Sequence, residues 1–288
     1  MTKKLVFALL TAASFGAVAQ EEAPAATSSD SNLSLDASIG YTSRYVWRGL
    51  TFANESAQGD LANAYELSGK DPMDVFEARW LKNQENVSYG IDYADRLVVA
   101  DRPSEATNVL RSVLNVDRTS KIAWRKLAEA YYGANDLEKS ADSYGELFKL
   151  GKRDHRVAIK ISSIQVELDD FENAIRWVNK AISISAAGES FAQKGNVYYK
   201  AFQFCRSRDI SIEDKIVATL AKQNYEAAEA KGFRRYKNSL DWLKANEVLF
   251  GKAEWFMMDK NRKLQGSITP NSQCYNWIKE ELKKDSSW

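Results

Sequence analysis

The chain has 288 residues, with 40 Lys and Arg against 39 Asp and Glu, one His and two Cys. A net charge of +1 supplies no long-range field for nucleic acid or an anionic membrane, and so few His and Cys cannot assemble a His- or Cys-based zinc site. The hydrophobic share of 44% suits a packed core, while only 4 Pro and 14 Gly favour helices over an all-β fold.

Residues 1–19 read as a secretory leader. Lys3 and Lys4 form its positive end, Leu5 to Ala19 its apolar run, and Ala17-Val18-Ala19 the small residues that a signal peptidase needs, with Gln20 first in the mature chain. A run of about fifteen residues rises about 22 Å as a helix, short of a ~30 Å hydrocarbon core. Cleavage removes both lysines and leaves acidic residues one ahead of basic ones. The expected location is the periplasm or the periphery of the outer membrane of a Gram-negative bacterium. An oxidising compartment permits a disulfide between Cys205 and Cys274; two buried thiols are the alternative.

Residues 20–60 form a polar linker followed by a strand-like segment. Leu33, Leu35, Ala37, Ile39, Tyr41, Tyr45 and Trp47 alternate with Ser34, Asp36, Ser38, Gly40, Thr42, Arg44 and Arg48. This period of two predicts β structure over 32–55. Ser43, Tyr45, Trp47, Arg48 and Gly49 resemble the opening strand of the Gcw_chp-type bacterial outer-membrane barrels. The resemblance implies either a strand that pairs with another sheet edge in an outer-membrane assembly or a fusion of two unrelated segments near Gly59. Residues 61–288 offer no further strands of that kind, and an eight-stranded barrel needs eight.

From residue 61 the apolar spacing becomes helical. Trp124, Leu127, Ala128 and Tyr131 share one face, Asn135-Asp136 makes a turn, and Ala141, Tyr144 and Leu147 mark a second helix. The pattern recurs about 34 residues later and about 34 earlier, with turns at Asp169-Asp170 and near Asp101 to Pro103. This spacing resembles the tetratricopeptide repeat. The resemblance implies a mainly α solenoid, with an array over 61–235 and a capping helix and aromatic tail over 236–288. The capping helix is expected over Tyr236 to Leu249, after a helix that starts at a Ser211–Asp214 capping box and stops near Lys231-Gly232. The tail resembles those of some secreted bacterial repeat proteins, which implies that Cys274, Tyr275, Trp277 and Ile278 dock on the last helices.

His155 stands at a helix start without a nucleophile arranged around it, and the acidic pairs lie in turns. No catalytic residues, metal ligands or cofactor are assigned, and no nucleic-acid patch is read in Arg234-Arg235 or Lys283-Lys284. The expected role is a non-enzymatic scaffold or adaptor. In tetratricopeptide arrays a protein or peptide lies along the concave face made by the first helix of each repeat. The resemblance places Ser88, Ile91, Asp95, Ile122, Arg125, Glu129, Tyr132, Arg156, Ile159, Ser163, Asn196, Tyr199 and Lys200 on that face. Their mixed signs differ from the carboxylate-clamp pattern of chaperone-binding members. Tyr132 and Tyr199 are the expected anchors, with Arg125 and Lys200 for polar groups.

Overall fold

The computed structural model describes Val46–Trp47, Leu50–Thr51 and residues 71–288 except 152, 264, 265 and 287. The chain divides into two units, Met1–Asp60 and Leu61–Trp288. The expected leader and most of the expected 32–55 strand lie outside the described residues, as does the first half of the repeat expected around 61–82.

In the first unit, β1 (Val46–Trp47) pairs antiparallel with β2 (Leu50–Thr51), with Trp47 opposite Leu50. Strands that pair this way run in opposite directions within six residues, whereas a barrel strand must run straight for ~10. No barrel is present among the described residues, whose strands are two residues long. The likeness to an outer-membrane barrel is thereby corrected. The proposed fusion of two unrelated segments had its grounds in that likeness and falls with it.

In the second unit, α1 (Pro72–Lys82) starts at the Asp71 side chain, which accepts from the Met73 amide. The helices that follow begin at regular intervals because their caps do. Asn86, Ser120 and Asp154 each accept a hydrogen bond from the first turn of α2 (Val87–Val99), α4 (Lys121–Gly133) and α6 (His155–Glu167). Each of these helices ends the same way. Asp101, Asn135 and Asp169 adopt φ of 57°, 58° and 57°. The next amide reaches back across the turn: Arg102 to the Leu97 carbonyl at 2.8 Å, Asp136 to Tyr131 at 2.8 Å, Asp170 to Gln165 at 2.9 Å. These turns launch α3 (Pro103–Val116), α5 (Leu137–Leu150) and α7 (Phe171–Ile184). Asp136 and Asp170 cap their helices through their side chains. At α3 that bond is missing; Pro103 in the first turn and the Arg102–Glu105 ion pair at 2.6 Å accompany the start instead.

Within each pair, small residues meet where the helices cross. Ala94, Ala128 and Ser162 on the first helices are fully buried, as are Ala106, Ser140 and Ala174 on the second. Without bulk at the crossing the backbones approach, and Ser140 Oγ donates to the Ala128 carbonyl at 2.8 Å. Leu97, Leu110, Val113, Leu127 and Leu147 fill the space around the crossings. Each helix pair also packs on the next, which covers the apolar face that a lone pair would expose. The second unit is thus a mainly helical, repeat-built α-solenoid.

The last pair is longer. α8 (Gly188–Cys205) packs along α9 (Ile212–Ala230), which starts with a Ser211–Asp214 capping box and ends before Gly232 at φ 81°. A Cβ at Gly195 would stand 2.7 Å from Tyr225 Cδ1, so this close approach requires glycine. The following α10 spans Lys237–Ala245, shorter than the expected Tyr236 to Leu249. The reason is tertiary: past Asn246 the chain drops back onto α9, burying Val248 and Phe250, and the Phe250 amide donates to Thr219 Oγ1 at 2.8 Å.

The tail then runs through α11 (Lys252–Met257) and a two-residue antiparallel ladder, β3 (Ser267–Ile268) with β4 (Leu282–Lys283). Tyr275, Ile278 and Leu282 are buried in the core of the α8–α9 pair. Tyr275 OH donates to Asp214 Oδ1 at 2.6 Å, tying the tail to the α9 cap. Trp277 stacks against Phe171 and Tyr198, each at 6.2 Å between ring centres. Cys205 and Cys274 form a disulfide, with their Cα atoms 6.1 Å apart. No helix among the described residues is long and apolar enough to cross a membrane.

Candidate functional site: the first-helix face

The first helices α2, α4, α6 and α8 start about 34 residues apart, so equivalent side chains fall into register along one face. Polar contacts stitch this face from repeat to repeat. Lys126 Nζ lies 2.9 Å from Asp95 Oδ1, joining α4 to α2. Tyr132 OH donates to the Glu167 carboxylate at 2.9 Å, joining α4 to the end of α6. The Lys160 ammonium sits 4.0 Å from the centre of the Tyr132 ring. Glu189, at the start of α8, lies 2.6 Å from His155 Nε2 and 3.3 Å from Arg156 Nε. The hydrogen bond to Glu167, with burial and the same negative charge behind it, raises the Tyr132 phenol above its usual range, so it stays a neutral donor.

The sequence-predicted residues divide by place. Ser88, Arg125, Glu129, Tyr132, Arg156 and Lys200 are exposed, and Asp95 and Ser163 are half-buried. Arg125, Glu129 and Lys200 are exposed, and the opposite charges of Arg125 and Glu129 act in opposite directions on the Tyr144 phenol. Asn196 and Tyr199 are each 9% exposed. Tyr199 is enclosed by aromatic rings, with Tyr225 at 6.3 Å, Phe202 at 6.5 Å and Trp242 at 6.0 Å. The long α9 and the added α10 cover this part of α8, so Tyr199 belongs to the core and offers a partner little surface.

A cavity of about 220 Å³ opens at the α6–α8 end of the face. Arg156, Ile159 and Ser163 line it from α6 as the register predicts. Lys160, Gln193, Phe233, Arg235 and Tyr236 complete it. The sequence reading missed these. Phe233-Arg234-Arg235-Tyr236 reads as too short for a charge patch, yet the turn at Gly232 brings Phe233, Arg235 and Tyr236 to α6. Positive φ at that glycine is the signal that the segment folds back. Arg156, Lys160 and Arg235 outnumber Glu189, so the cavity favours an anionic group. Gln193 is held in place by its amide donating to Ser162 Oγ at 3.2 Å.

Among the described residues no three His, Cys, Asp or Glu side chains converge to hold a metal ion, and no nucleophile–base pair lines the cavity.

No protein-family model and no curated protein matches the chain. Among solved structures, the chain is similar to a crystal structure of MamA at 16% identity and a TM-score of 0.48, covering 62% of this chain and 98% of that one. A structure of YrrB, described as a TPR protein with an unusual peptide-binding site, aligns at 15% identity and a TM-score of 0.38, covering 60% and 94%. TTC0263, described as a thermophilic TPR protein in Thermus thermophilus, aligns at 13% identity and a TM-score of 0.40, covering 67% and 98%. The assignment of the fold rests on the helix caps, turns and crossings above.

Proposed function

We propose that the chain is an exported scaffold or adaptor that binds a protein or peptide segment along its first-helix face. What supports the reading is a pairing: Arg125, Glu129 and Lys200 are exposed at positions that the repeat register assigns to the first-helix face, and Arg156, Lys160 and Arg235 converge on a cavity at α6 and α8. A segment laid along the face meets both signs of charge on α4 and an anion-favouring recess beyond it. A carboxylate is the group that fits that recess, paired with guanidinium and ammonium donors. Tyr132 is the aromatic anchor. Its ring is held under Lys160 and its hydroxyl against Glu167, so little motion is lost when a partner packs on it.

Export is supported by the leader pattern of residues 1–19 and agrees with a disulfide in the folded chain. Amino-terminal sequencing of the protein from fractionated cells tests it. A periplasmic protein starting at Gln20 is expected; an intact Met1 end in the cytosol would contradict it.

Binding is tested by affinity capture from the native envelope with the intact protein, an Arg125→Glu, Tyr132→Ala variant and a Glu138→Ala variant on the opposite helices. A partner kept by the intact protein and Glu138→Ala, and lost by the groove variant, is expected. Equal capture by all three would overturn the assignment of the face.

A further inference from the structure

A larger cleft, of about 1120 Å³, lies on the other side of the array, beside α5 and between α3 and α7. None of the first-helix groove residues lines it. We infer that this cleft is a second docking surface, which takes an acidic peptide segment through one aromatic side chain.

Its shape follows from one position. Gly145 stands in the middle of α5, and a Cβ there would meet nothing within 4 Å. A glycine in a helix interior costs about 1 kcal/mol against alanine. At Gly90 and Gly195 a close contact requires glycine: a Cβ on Gly90 would stand 2.3 Å from Val113 Cγ2 and one on Gly195 2.7 Å from Tyr225 Cδ1. No such contact accounts for Gly145. Its missing side chain opens a recess beside Phe148 and Trp177, whose rings meet edge to face at 5.3 Å. A planar ring from a partner has a ready-made aromatic wall here.

The charge around the recess has a sign. Lys139 is paired with Asp136 at 2.6 Å, and Lys149 with Glu146 at 2.7 Å. Arg111, Arg118 and Lys180 have no carboxylate partner among the described residues, and Asp142 is the acidic residue of the lining left to face them. Lys180 instead lies 3.9 Å from the centre of the Trp177 ring. Three uncompensated cations against one carboxylate around an aromatic wall complement Asp and Glu residues flanking a Trp or Phe. The surface is independent of the first-helix face, so either reading can fail alone.

Fluorescence anisotropy of the full chain tests the inference. The probes are a labelled Asp- and Glu-rich peptide with one central Trp, the same peptide with Ala for Trp, and a Lys-rich version. The Trp peptide is expected to bind at least about tenfold more tightly than either of the others. Gly145→Leu fills the recess and is expected to abolish that binding while the helical melting curve is kept. Arg111→Glu with Lys180→Glu, both at exposed positions, is expected to weaken it roughly tenfold and carries the test if Gly145→Leu does not fold. Lys252→Ala, at an exposed position of α11 outside both surfaces, is expected to leave it unchanged, and Tyr132→Ala to weaken it less than the cleft variants do. Three results would each overturn the inference: equal binding of the Trp and Ala peptides, equal binding of an oligothymidylate, or a larger loss from Tyr132→Ala than from the cleft variants. Concentration-dependent dimerisation that Arg111→Glu abolishes would also overturn it, by assigning the cleft to a second copy of the chain.

Discussion

Two glycines in helices give opposite predictions. A Cβ on Gly90 would stand 2.3 Å from Val113 Cγ2 and 2.8 Å from Trp80 Cζ3. Both neighbours are buried, so neither can move away cheaply. Gly90→Ala is therefore expected to destabilise by about 1–3 kcal/mol, because overpacking outweighs the gain in helix propensity. Gly145→Ala meets open space and is expected to stabilise by up to about 1 kcal/mol. Urea melts of the two variants check both signs; a more stable Gly90→Ala protein would contradict the packing of α1, α2 and α3. No local pattern announces these neighbours, since Trp80 comes from the preceding helix and Val113 from the following one.

Acid sensitivity also has an identifiable source. Burial alone would raise the carboxyl of Glu254, but the Lys215 ammonium at 2.6 Å and the Gly251 amide at 3.0 Å outweigh it and hold the group below its usual range. Glu226, bonded by Lys222 and Lys244, shifts the same way against the same opposition. Both groups bind protons more readily in the unfolded chain. Their contribution is complete above the unfolded pKa of about 4.3 and is lost as pH falls through the lower folded value. Thermal melts across the acid range are expected to show a falling midpoint that Glu254→Gln makes shallower. An unchanged acid limb in that variant would contradict the role of the pair.

Among the helices, the turns carry the register. Asp101, Asn135 and Asp169 take left-handed backbone angles that Asn and Asp tolerate better than branched residues do. Asn135→Val is expected to cost about 1–2 kcal/mol, and Asn135→Gly to cost nothing or stabilise slightly. Equal stability of the Val variant would mean that the turn does not hold the α4–α5 angle. These turns and the capping residues are local features, and for that reason the helix starts of the central repeats could be placed from sequence alone. The end of α10 could not. Its stop depends on the Phe250 amide reaching Thr219, a contact across roughly thirty residues that no local pattern announces. The same non-local cover buries Asn196 and Tyr199, which the repeat register had put on the proposed binding face. Lys160 and Arg235 came into the site by the converse route, through a turn that folds a short basic segment back onto α6.

For the molecule as a whole, the array must be closed at its end or its last apolar face stays exposed. The tail closes it with Tyr275, Ile278, Leu282 and Trp277, and the disulfide fastens that closure. The bridge spans 69 residues, for which chain entropy gives roughly 4 kcal/mol of stabilisation. Cys205→Ala with Cys274→Ala is expected to melt well below the intact protein while keeping its helix content, because the tail residues are also held by the core. Loss of helix content in that variant would mean that the bridge, not the core, organises the last pair. From sequence, the two cysteines were visible and their proximity was not, since α9 and α10 lie between them.

Photo-crosslinking from a benzophenone side chain placed at Arg125, Lys200 or Lys252 in the full chain, in the cells that make it, measures directly whether the first-helix face meets a partner. Lys252 is exposed on α11, outside the first-helix face and the α5 cleft. The same adduct from Arg125 and Lys200, and none from Lys252, is the predicted result. Adducts from Lys252 alone, or equal adducts from all three positions, would contradict it.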